Sequence, residues 1–141
     1  MADETHDATS PAPATPAAMR HVRPLARWLL AGFLVVAGTG HLVAHEEFLA
    51  QTPTWVPART LVVWGSGVIE IALGLALLLV CRRRRQLGWV VAVFFVLVFP
   101  GNVHQAVAGT DAFGLDTPAA RWTRLLFQPL LIAWALWSTR E

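Results

Sequence analysis

The sequence predicts an all-α protein, a four-helix transmembrane bundle with both termini cytoplasmic and a disordered N-terminal tail. Hydrophobic residues make up 55% of the 141-residue chain and charged residues 14%, against about 25% charged in an ordinary soluble domain. The apolar residues are gathered into four blocks separated by short polar stretches. The cations, eleven in number and all Arg, cluster near block ends, and seven Trp accompany them. Such residues mark the water interfaces of a membrane span. The basic balance therefore reflects topology, and nucleic-acid binding is not expected, because the aromatics lie inside apolar runs instead of interleaving with the arginines.

Residues 1–20 are rich in Ala, Thr and Pro, with Pro11, Pro13 and Pro16 close together. Such a segment buries too little apolar surface to offset its ordering entropy, and a disordered tail is expected. The first apolar run, 25–44, has spanning length and exceeds a signal-peptide core. A polar loop follows over 45–59, with Glu46, Glu47, Pro53 and Pro57. The second run, 61–81, is broken only by Ser66 and Glu70 and stops at Arg82–Arg85. Four adjacent cations cannot enter hydrocarbon. The third run, 87–108, passes through Pro100, Asn102, His104 and Gln105. After a turn-rich loop over 110–118, the fourth run covers 121–137 and spans by packing on the others while Arg121 and Arg124 snorkel outward.

Four spans put the N-terminus, the Arg82–Arg85 loop and the C-terminus on one side. That side holds Arg20, Arg23, Arg27, Arg82, Arg83, Arg84, Arg85 and Arg140, and the other holds Arg59, Arg121 and Arg124. The richer side is cytoplasmic by the positive-inside rule, giving a multi-pass cell-membrane protein. Trp55, Trp64 and Trp122 then suit the outer interface, and Trp28, Trp89 and Trp137 the inner one. The lone Cys81 cannot form an internal disulfide and is expected to pack at a helix end. Homo-oligomerisation is compatible with this pattern.

Depth along the helices sorts the polar residues. At about 1.5 Å per residue, Glu70 and Gln128 lie near the midplane, with His41, Asn102, His104 and Gln105 nearer the outer ends. Lipid cannot satisfy such groups, so they should converge on a polar pocket in the outer half. The expected ligand-binding residues are His41, Glu70, Asn102, His104, Arg121, Arg124 and Gln128. Spacings of three, four and seven set Gly67, Glu70 and Gly74 on one helix face, where small residues permit close approach. Glu70 is then either protonated or paired, with His41, Arg121 or Arg124 as partner. It serves as a structural latch or as a carboxylate that binds ligand or handles protons. Asn102 either satisfies backbone groups freed by Pro100 or meets a ligand. His41 and His45, one turn apart, lack the H-E-x-x-H pattern, and a metal is not expected; a haem on His41 and His104 is equally unsupported.

The ordered set of motifs resembles the DoxX-like family of small four-helix membrane proteins over about residues 27–137. Gly40-His41-Leu42 ends the first helix, where relatives often have Gly-x-x-His-Phe. Phe48, Pro53, Trp55, Val56 and Pro57 resemble the family's first outer loop. Ser66-Gly67-Val68-Ile69-Glu70 with Gly74 is similar to its Ser-Gly-x-x-Glu-x-x-x-Gly helix, and Phe99-Pro100-Gly101-Asn102-Val103 to its Phe-Pro-Ala-Asn segment. Pro118, Arg121, Leu125 to Gln128 and Trp134 resemble its closing segment. Leu42, Gly101 and Phe127 depart from the family pattern, and Pro129 follows Gln128 where relatives have a proline earlier. The resemblance carries over His41, Glu70, Asn102, Arg121 and Gln128. It implies a membrane subunit linked to thiosulfate-to-quinone electron transfer. The first functional expectation is thus an oxidoreductase subunit that binds a quinone or supports a partner oxidoreductase. A small-solute carrier or channel and a non-catalytic scaffold or assembly factor are the alternatives, and no internal repeat supports a transporter.

Overall fold

The computed structural model describes residues 17–140, with side chains from His21 onward. Most of the expected disordered tail lies outside the described residues, while Ala17–Arg20 already belong to the first helix. The chain is all-helical over the described residues: α1 (Ala17–Val43), α2 (His45–Gln51), α3 (Arg59–Leu79), α4 (Arg84–Ala108) and α5 (Pro118–Ser138). In α1, α3 and α4, 23, 21 and 25 residues respectively are long and apolar enough to cross a membrane.

The helices begin earlier than the apolar runs, with Arg59 and Arg84 opening α3 and α4 and Pro118 opening α5. Thr117 caps α5 by accepting a hydrogen bond from the Ala120 N–H (3.3 Å), and Pro118 takes the first helical position, where its missing N–H costs nothing. α4 begins inside the arginine run, passes through Pro100 and ends at Gly109 with φ 67°.

α2 occupies part of the expected loop. Its sequence has no breaker, and Glu46 and Glu47 in the first turn favour the positive end of the helix. Thr52 is extended, as a residue before proline must be, and this ends the helix. Arg59 then donates to the carbonyls of Leu49 (2.6 Å) and Thr52 (2.9 Å).

α1 and α3 pack antiparallel along the glycine face. A Cβ on Gly67 would lie 2.7 Å from the His41 Cβ, and one on Gly74 would lie 2.7 Å from the Ala31 carbonyl oxygen. α4 and α5 form the second antiparallel pair, and Gly88 leaves room for Thr139 where they meet. Between the pairs, Leu30, Leu34, Leu77, Val91, Phe94, Phe95 and Ala135 form a buried core at the end near Cys81. Outward faces carry large apolar side chains, among them Val36, Leu61, Leu79 and Leu126. That inside-out surface suits lipid contact. Cys81 lies beyond the end of α3 and is exposed, contrary to the expected packing, because Val80 has already left the helix.

Candidate functional site

The Gly38–Gly67 contact brings α1 and α3 close enough for Glu70 to meet α1 directly. The side chains of Glu70 and His41 are nearly buried, with Glu70 Oε2 3.1 Å from His41 Nδ1. The same nitrogen lies 3.1 Å from the Ala37 carbonyl oxygen. With Glu70 ionised, a ring nitrogen facing two acceptors must bear the proton. Its alignment favours Ala37, so the Glu70 oxygen has an ion-pair distance but no well-formed hydrogen bond.

Glu70 and His41 line a cavity of about 760 Å³ that lies between the helix pairs. Asn102, Arg124 and Gln128 face the same space, together with Gln51 of α2. Asn102 Nδ2 donates to Gln128 Oε1 at 2.9 Å. Gln128 Nε2 donates in turn to the Phe95 carbonyl. That oxygen neighbours Val96, whose carbonyl loses its helical donor at Pro100. Gln128 thus bonds a backbone carbonyl next to the one Pro100 frees, and the Asn102 amide bonds Gln128 in place of the backbone. Arg124 donates to Gln105 Oε1 at 2.8 Å. Gln51 is buried and its Oε1 has no hydrogen-bond partner.

The rest of the wall is apolar, including Phe33, Phe95, Val98, Phe127, Leu131 and Trp134. Phe33 and Phe127 are also 41% and 56% exposed, so the cavity opens between α1 and α5 onto the apolar flank. Trp134 Nε1 donates to the Ala26 carbonyl (2.9 Å) and ties the two helices below that opening.

An aromatic roof covers the end of the cavity remote from Cys81. The Phe48 ring stacks on His41 with centroids 3.6 Å apart and meets Phe113 edge-on at 4.7 Å. The Arg124 guanidinium lies 4.8 Å from the Phe113 centroid. Phe113 has φ 56°, a strained value for a bulky residue, and its N–H donates to Glu47 Oε2 at 2.7 Å.

Two expected site residues lie off the cavity wall. Arg121 is held by Asp111 (2.7 Å) and the Leu115 carbonyl (3.0 Å) and does not reach Glu70. Its neighbouring loop offers an acceptor at lower cost than the midplane does. His104 is two residues beyond Asn102 on one helix, about 200° around the axis, so both cannot face the cavity. Residues missed from sequence are Gln51, Phe48 and Phe113, which hydropathy alone assigns to loops; the unbroken run His45–Gln51 was the available signal. Among the described residues no three His, Cys, Asp or Glu side chains converge as metal ligands would.

The profile of a family described as a domain of unknown function (DUF8561) matches residues 30–139, which include every polar residue of the cavity. The chain belongs to this family. No curated protein and no solved structure was found to match it. The match runs from the middle of α1 to the end of α5, so the family's domain comprises both helix pairs and the roof.

Proposed function

We propose that this chain is a four-span protein of the cell membrane that binds a lipophilic molecule with a hydrogen-bonding head, a quinone or quinol, in the outer-half cavity. The fourth span is α5. Its 21 residues reach about 32 Å at 1.5 Å per residue, enough for hydrocarbon about 30 Å thick. The distribution of arginines supports cytoplasmic termini.

The observation that carries the ligand class is the division of one cavity into an apolar wall and a polar end with two acceptors that lack a hydrogen bond, Gln51 Oε1 and the His41-paired Glu70 Oε2. Buried acceptors of this kind call for a donor, and a quinol hydroxyl is one. Its apolar tail would leave between Phe33 and Phe127 toward lipid. Oxidation of a quinol releases two protons and two electrons. The Glu70–His41 pair can accept one proton, the second would pass to water at the polar end, and a partner oxidoreductase would take both electrons. The DoxX-like resemblance of Gly40-His41, Ser66 to Glu70 and Pro100 to Asn102 favours a ligand of the quinone class, on which electron transfer in the opposite direction would draw protons back from the same pair. The packed core of Leu34, Leu77, Phe94 and Phe95 beneath the cavity favours a binding site over a carrier or channel. A latch between Glu70 and Arg121, the scaffold alternative, has less support, since Arg121 is engaged by Asp111.

The test is mass spectrometry of small molecules retained by the full chain in mild detergent. With a reductant present, wild type should retain quinol and Glu70→Gln should lose most of it. Equal retention by the two proteins would overturn the reading.

A further inference from the structure

A second cavity, of about 430 Å³, lies at the opposite end of the molecule, where the start of α4 meets the end of α5. Arg85, Trp89, Leu136, Thr139 and Arg140 line it. Neither arginine is paired with a carboxylate among the described residues. Arg82 and Arg83 are adjacent, and Arg84 has a buried Nε without a hydrogen-bond partner. The cavity lies at the N-terminal end of α4, the positive end of its helix dipole.

We propose that this cavity holds the phosphate of an anionic phospholipid. Guanidinium groups from two helices can grip phosphate oxygens from two directions. Trp89 suits the glycerol and carbonyl level beside the headgroup. From there an apolar track leads up α4. Val93, Val96 and Leu97 follow Trp89 at spacings of four, seven and eight, so they share its face, and all are more than half exposed. A charged slot continuous with an apolar stripe matches a lipid headgroup with its acyl chain and does not require a soluble anion. The site is separate from the Glu70 cavity and does not depend on what that cavity binds.

The test uses full-length protein in detergent, supplied with phosphatidylglycerol or phosphatidylcholine of identical acyl chains and weighed intact by mass spectrometry. Two cationic contacts predict about thirtyfold preferential retention of phosphatidylglycerol. The double variant Arg85→Gln/Arg140→Gln should retain the two lipids equally, with unchanged helical circular dichroism. Arg82→Gln/Arg83→Gln, which removes the same charge outside the cavity wall, should keep the preference. Equal retention of both lipids by wild type overturns the proposal, as does an undiminished preference in Arg85→Gln/Arg140→Gln. An equal loss in Arg82→Gln/Arg83→Gln would mean diffuse charge attraction and overturn the site. Displacement of phosphatidylglycerol by excess inorganic phosphate would assign the slot to a soluble anion instead.

Discussion

The Gly67 Cα faces His41 so closely that an added Cβ would stand 2.7 Å from the His41 Cβ and 2.9 Å from the Gly38 carbonyl oxygen. This approach sets the Glu70–His41 distance, because Glu70 lies one turn along the same face of α3.

Gly67→Ala should therefore push α1 and α3 apart. Overpacking of this kind costs about 1–3 kcal/mol, and detergent-solubilised protein should melt at a lower temperature with weakened ligand retention. Gly65→Ala, whose Cβ would meet nothing within 4 Å, should be neutral or slightly stabilising. A Gly67→Ala protein as stable as wild type would contradict the close contact.

Glu70 and His41 should be energetically coupled. His41→Phe leaves the carboxylate without its partner, while Glu70→Gln removes the charge that needs one. The double variant should be less destabilised than the sum of the singles, with a coupling of about 1–3 kcal/mol, measured by unfolding in a denaturing detergent series. Simple additivity would show that the 3.1 Å contact contributes nothing.

Gln128→Leu should strand the Asn102 amide and remove the added bond to the Phe95 carbonyl. A stranded buried group costs about 1–3 kcal/mol. Faster amide exchange in α4 around Pro100 is the expected signature, and Asn102→Leu should produce a smaller effect because it leaves the added bond to the Phe95 carbonyl in place.

The roof can be loosened without touching the cavity floor. Glu47→Ala removes the acceptor that holds the Phe113 N–H. The segment 109–117 should then become more sensitive to protease, and Phe113→Gly, which relieves the positive φ but deletes the ring, should loosen it further. Unchanged proteolysis in both variants would argue against a closed roof.

Topology can be read with the native thiol. Cys81 is the single cysteine and is exposed. In sealed cells a membrane-impermeant maleimide should spare Cys81 and, in a Cys81→Ser background, should label Thr54→Cys. The reverse pattern would invert the proposed orientation.

The long helices were legible in the sequence because a span is written as uninterrupted apolar length. Their first turns were not, since Arg84, Arg85 and Pro118 start helices without being hydrophobic. Depth arithmetic found the height at which polar groups gather and singled out His41, Glu70, Asn102 and Gln128, which line the cavity, together with His104 and Gln105, which do not. Height carries no azimuth, which is why His104 was grouped with Asn102 although it points elsewhere. Arg121 stood beside His41 and Arg124 as a possible partner of Glu70 because an exposed loop carboxylate, Asp111, offers no sequence sign that it will fold back. The roof was invisible for a related reason: Phe48 and Phe113 are 65 positions apart, and only the packing of α2 across the helix pairs joins them.

The packed core of Leu30, Leu34, Leu77 and Phe94 stops the cavity short of the Cys81 end. An occupant of the proposed site would then exchange through the side of the bundle, past Phe33 and Phe127, and the rate at which a spent guest is swapped for a fresh one would be set where those two rings stand.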